Sequence, residues 1–132
     1  MFLINFPLML VPFAVYNFFI IGGDVNPWEN LVLRVDMMSG ATFTLTMGEG
    51  LIILSLLLLF IEILKATRVG SWTILDHILS TVVLVAYLVE FLMVGQAATS
   101  TFFILMAVTL VDVIAGYSVS IRNASRDLTI ER

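Results

Sequence analysis

The sequence predicts an all-α integral membrane protein, four transmembrane helices with an extracytoplasmic β-hairpin between helices 1 and 2. Three observations carry this. The 132 residues are 61% hydrophobic and only 12% charged, with a mean hydropathy of +1.11, whereas a soluble domain is about 45–50% apolar and about 25% charged. The apolar residues fall into four runs of the length that a hydrocarbon core of about 30 Å requires, about 20 residues each. Between the first and second runs the hydrophobic period becomes two over residues 31–47. A chain of this length is expected to form a single domain, residues 1–132.

The first span, about 2–21, reads FLINFPLMLVPFAVYNFFII. It carries no charge but two prolines, Pro7 and Pro12. Each removes a backbone donor and bends a helix, which membrane helices tolerate where neighbours satisfy the freed carbonyl. The run has no basic leader, its apolar stretch exceeds the usual length of about 7–15 residues, and no small-residue cleavage site precedes GGDVNPWEN. It is read as a retained helix.

The outer loop then carries LVLRVDMMSGATFTLTM, residues 31–47. Leu33, Val35 and Met37 alternate with Val32, Arg34 and Asp36, and Phe43, Leu45 and Met47 alternate with Thr42, Thr44 and Thr46. This pattern predicts a hairpin with strands at about 31–37 and 41–47 and Ser39-Gly40 in the turn. Its apolar face, Leu33, Val35, Met37, Phe43, Leu45 and Met47, is the candidate interaction surface. A two-stranded hairpin is marginal in water and its open edges pair readily, so that face is expected to lie on its own bundle, on lipid or on a partner. Trp28 is expected as an interfacial anchor.

The remaining spans are about 50–66, 72–94 and 101–121, followed by a mixed polar tail, 122–132, expected to extend the last helix on the cytoplasmic side. Lys65, Arg68, Arg122, Arg126 and Arg132 flank one side of the spans, whereas the first outer loop has only Arg34 and the GQAATS loop has no charge. The positive-inside rule therefore puts both termini in the cytoplasm and the hairpin outside. The expected location is the bacterial inner (plasma) membrane.

Polar residues recur at spacings of three and four within the spans. Asp76, Ser80, Val83, Tyr87 and Glu90 share a face, with His77 and Thr81 beside it; Thr109, Asp112, Gly116 and Ser120 share another; Ser55, Leu59 and Glu62 form a third, which Lys65 continues. A lipid-facing surface cannot carry such groups cheaply: one charge at the bilayer centre costs roughly 3 kcal/mol. The expectation is an intramembrane polar seam built from Glu62, Asp76, His77, Ser80, Tyr87, Glu90, Thr109 and Asp112. Each member also has a plainer role. Glu62 and Lys65 make an interfacial ion pair, with Lys65 reaching the inner surface. Asp76 suits the N-terminal end of a helix dipole. His77 is a bundle residue, and Glu90 bonds the outer loop or hairpin. Asp112 is either protonated and hydrogen-bonded, or binds a proton, an ion or a partner's cation.

Several function classes fall away. With no cysteine, a disulfide framework, thiol catalysis and cysteine-ligated zinc or iron–sulfur chemistry are excluded. A net charge of −4 gives no basic patch for nucleic acid. There is no phosphate-binding loop, hydrolase elbow or zinc-protease motif, and no metal-ligand spacing, so neither an enzyme, a metal nor a cofactor is expected. The plan of four spans, a strand-bearing first outer loop with Trp28 and the short GQAATS loop resembles that of the claudins. The resemblance implies the fold plan alone, since the cysteine pair of the claudin loop is absent. The expected role is association: an accessory or scaffolding subunit of a membrane complex, or a homo-oligomer, with the lipid bilayer and another membrane protein or itself as partners. The alternative is a small proton- or cation-conducting transporter or channel using the acidic seam.

Overall fold

Proline decides where the first helix begins. In the computed structural model, which describes residues 6–21, 27–67 and 71–130 (without the side chains of 71–73 and 123–130), α1 runs only from Leu10 to Ile20. Pro7 disfavours helical geometry at Phe6. Residues 6–9 instead form a non-helical lead-in, in which the Leu10 and Val11 N–H groups donate to Pro7 O and Leu8 O, each at 3.0 Å. Pro12 falls in the first turn of α1, where its missing N–H has no intrahelical acceptor to lose. The expected span 2–21 is thus corrected: among the described residues it is helical only over eleven residues, about 17 Å at 1.5 Å per residue. Residues 1–5 lie outside the described residues.

A 3₁₀ turn, Pro27–Glu29, leads into β1 (Leu31–Asp36) and β2 (Thr42–Thr46). The strands pair antiparallel, with Leu33 opposite Leu45, Val35 opposite Phe43 and Asp36 opposite Thr42. The Met37 N–H donates to Ala41 O at 2.7 Å, which closes a loop of Met38, Ser39 and Gly40 between the expected strand ends. Gly40 N donates to Met37 O at 3.0 Å, so Met38 and Ser39 occupy the centre of the turn. Gly40 follows at φ +92°, a left-handed conformation that favours glycine. A bulge between Leu31 and Leu33 turns Val32 away from the polar row with Arg34 and Asp36, into a groove it shares with Leu45.

Met47, expected on the hairpin, belongs to the next helix, α2 (Met47–Ala66). The cause is a capping box. Thr46 Oγ1 accepts the Glu49 N–H at 3.2 Å, and the Glu49 carboxylate accepts the Thr46 N–H at 2.9 Å, closing two free donors of the first turn. Helix α3 covers Ser71–Met93, a 3₁₀ turn covers Gly95–Ala97, and α4 covers Ser100–Ile130.

α4 packs against both α2 and α3. α2 and α4 run parallel, because Gly48 meets Thr101 at one end and Ala66 O meets Ser120 at the other. Small residues line this seam: Gly48, Ser55 and Ala66 are all buried. Three helices, Met47–Ala66, Ile74–Met93 and Ser100–Arg122, are long and apolar enough to cross a membrane, yet only 22%, 28% and 33% of their apolar windows are buried within the protein. Leu57, Phe60, Val82, Val89 and Ile114 are all more than half exposed. An apolar belt of this extent is stable against lipid and a liability in water, consistent with an integral membrane protein.

Candidate functional site

The broken start of α1 creates the most unusual feature of the interior. An irregular backbone inside a membrane bundle is tolerated only where protein buries it and satisfies its polar groups. Pro7, Leu8 and Met9 are buried, and the neighbouring helices supply their partners. Glu62 on α2 accepts the Leu8 N–H at 2.8 Å. Lys65, one turn further on, donates to Phe6 O at 2.7 Å. Tyr87 on α3 donates its hydroxyl to Met9 O at 2.9 Å. The N-terminal end of α1 therefore points toward a carboxylate, the favourable sense for the helix dipole.

Lys65 ties this end together. Its ammonium sits 2.9 Å from Glu62 and 3.6 Å from Asp76 on α3. Its side chain is only 8% exposed, so it turns inward rather than reaching the inner surface as expected. The part-buried backbone carbonyl of Phe6 explains this, because it is an acceptor that water would otherwise have to satisfy. Arg68, the other cation expected here, lies outside the described residues. Asp112 is 4% exposed and feels the charges of Glu62, Asp76 and Lys65. Its Oδ2 has no hydrogen-bond partner among the described residues.

His77 stands beside this cluster in a separate relay. Its Nε2 lies 2.6 Å from Ser120 Oγ, and Ser120 donates to Ala66 O at 3.1 Å. A hydroxyl has one proton. Since that proton goes to Ala66, Ser120 accepts from Nε2. The relay thus satisfies a carbonyl in the last turn of α2 that has no helical partner. Gly116 makes room for the ring: a Cβ there would come within 3.0 Å of His77 Cε1.

Toward the hairpin end the polar face gives way to rings. Thr109 is buried; its hydroxyl donates back along its own helix to Leu105 O at 2.9 Å and faces Tyr87 of α3. Phe13 meets Tyr87 edge-on at 4.9 Å, and Phe102 lies 5.2 Å from Tyr87 and 4.9 Å from Tyr16. Tyr16 stacks on Trp28 at 4.8 Å and 11° and donates its hydroxyl to Gln96 O at 2.9 Å. Trp28, at 3% exposure, is a buried stacking partner and not an interfacial anchor.

The expected residues therefore divide. Glu62, Asp76 and Asp112 come together with Lys65; His77 and Ser80 are buried beside them; Tyr87 and Thr109 mark the border with the aromatic layer. Glu90 stands apart. It is partly buried and faces Asn17 of α1, not the hairpin as expected. Between Tyr87 and Glu90 the seam is thus interrupted by the rings of Tyr16 and Phe102, both fully buried. Among the described residues no group of three or more His, Asp or Glu side chains is placed to hold a metal ion. Two participants escaped the sequence reading. The backbone of residues 6–9 has no sequence signature, though Pro7 marks its position. Tyr16, a single polar tip in an apolar run, was the available clue to its own anchoring role.

The hairpin residues Leu33, Val35, Met37 and Phe43 are between 41% and 48% exposed, and Leu45 is partly buried. Val32, Leu45 and Met47 line an apolar groove of about 290 Å³ with Val15, Phe19 and Leu54. The hairpin thus touches the bundle at its base and leaves most of its apolar face uncovered.

The class these features define is a helical bundle with three membrane-span candidates, a short broken first helix and a projecting β-hairpin. In comparison with known proteins the chain matches no family model, no curated protein and no solved structure.

Proposed function

We propose that the protein is a four-crossing membrane protein that acts by association, as an accessory or scaffolding subunit of a membrane complex or as a homo-oligomer. In this reading the first crossing is the broken one, made by the lead-in and α1 together. Both termini lie in the cytoplasm and the hairpin lies on the extracytoplasmic side, because Lys65, Arg122, Arg126 and Arg132 flank the opposite end.

One observation carries the role. The hairpin presents Leu33, Val35, Met37 and Phe43 on the part of its apolar face that its own bundle leaves uncovered, within a two-stranded sheet whose outer edges are open. Such a hairpin gains stability from a third strand or an apolar surface. Gentle extraction followed by native mass spectrometry tests this. A stoichiometric second polypeptide, or a second copy, is expected for the native chain. Val35→Asp with Phe43→Asp, a cross-strand pair exposed on both strands, is expected to release it while helical content is unchanged. A monomer in both samples overturns the proposal.

Proton or cation conduction is the second reading, favoured by the buried Asp112 carboxylate. Reconstituted vesicles separate the two: conduction predicts proton flux that Asp112→Asn abolishes, whereas association predicts no flux from either chain.

A further inference from the structure

We propose that Asp112 carries an exchangeable proton, so that the cluster of Glu62, Lys65, Asp76 and Asp112 is a proton-binding site inside the bundle. The inference stands on three features of geometry and does not depend on the association reading.

The first is charge balance. Glu62, Asp76 and Asp112 are 3%, 5% and 4% exposed, and the ammonium of Lys65 is the cation among them in the described structure. Three ionised carboxylates would leave this desolvated space with an excess of negative charge, which a protein interior relieves by taking up a proton or an ion.

The second is the division of partners. Glu62 holds the Leu8 N–H and Lys65. Asp76 faces Lys65 at 3.6 Å. Asp112 makes no ion pair among the described residues, and its Oδ2 has no hydrogen-bond partner there. Asp76 Oδ1 also lacks a hydrogen-bond partner among the described residues, but it has the ammonium of Lys65 nearby, so of the three carboxylates Asp112 is the one without an ion pair there. The groups around it are accounted for on each side. α2 contributes Glu62 and Lys65. α3 contributes Asp76, and His77 whose Nε2 is engaged by Ser120. Tyr87 on α3 gives its proton to Met9 O. The described lead-in residues 6–9 contribute only backbone polar groups, and α4 adds no further charge before Arg122.

The third separates a proton from a metal ion. An alkali or alkaline-earth ion needs several oxygens converging on one point, commonly about six. No group of three such side chains is so placed among the described residues. A proton needs one oxygen, and a protonated Asp112 also removes the excess charge.

Infrared spectroscopy tests the proposal on the whole protein in an ester-free maltoside detergent. The native chain is expected to show a protonated-carboxyl carbonyl band at neutral pH that disappears reversibly as the pH is raised. The band is expected to be absent in Asp112→Asn and shifted in Asp112→Glu; the second variant keeps the assignment possible if the first does not fold. Absence of the band in the native protein at neutral pH overturns the proposal. So does a band that survives unchanged in either variant, because the proton then resides elsewhere. Loss of the band on adding sodium or potassium chloride at constant pH also overturns it, in favour of a metal-ion site.

Discussion

The two ends of the bundle hold the short first helix by opposite means. At the hairpin end, Tyr16 of α1 is clasped by Trp28 and Phe102. At the other end, the lead-in is held by a carboxylate, an ammonium and a phenol, each bonded to a backbone group. The surroundings explain the difference. Lipid tails are as apolar as aromatic rings, so the ring layer gains little from leaving them and depends on close shape and dispersion contacts. Lipid cannot solvate a free N–H or C=O, so the non-helical residues 6–9 can exist only where side chains take over that role. The irregular backbone and the buried charges therefore occur together, and each makes the other tolerable.

This contrast can be broken at either end. The largest effect is expected from Lys65→Met, which strips Glu62 and Asp76 of their cation and leaves Phe6 O unbonded. Unfolding in mixed detergent should show a loss of about 3–5 kcal/mol, the usual cost of orphaning a buried ion. Adding Glu62→Gln should recover part of it, and simple additivity of the two losses would deny the coupling. Next is Phe102→Ala in the ring layer, expected to lose about 3 kcal/mol through the cavity left between Tyr16 and Tyr87. A smaller loss would mean that the rings close up. Gly48→Ala should cost about 1–3 kcal/mol by overpacking, since its Cβ would crowd Thr101 Oγ1 and lie 3.1 Å from Trp28 O. A combined Gly48→Ala, Thr101→Ser chain, which leaves that crowded hydroxyl in place, should recover little. The smallest is Tyr87→Phe, expected to lose about 0.6 kcal/mol, the average for a membrane hydrogen bond. It should speed hydrogen exchange in residues 8–11 rather than near the hairpin.

Much of the helical layout was legible because lipid imposes a simple rule. Runs of apolar residues over 50–66, 72–94 and 101–121 correspond to α2, α3 and α4, and the three-four spacing of Asp76, Ser80, Val83 and Tyr87 marks the buried face of α3. The hairpin was equally legible from its period of two. Its junction with α2 was not, although the Thr46–Glu49 spacing is a capping signal: the alternation ran on through Met47 and masked it. The bulge at Val32 was hidden because a single extra residue changes facing without changing the pattern of residue types.

The sequence by itself determined that a two-stranded hairpin precedes three long apolar helices, and which face of each of those helices is polar, because both follow from local period and from the cost of exposing polar groups to lipid. The tertiary structure decided that the backbone before α1 would be held by side chains of α2 and α3, that Lys65 would turn inward and that Trp28 would be buried. Those outcomes depend on which unbonded backbone groups and ring faces meet across the bundle. For the lead-in and Lys65 that pairing joins residues more than fifty positions apart, Phe6 with Lys65 and Leu8 with Glu62; for Trp28 it sets the ring against Tyr16 of α1; no local period encodes either.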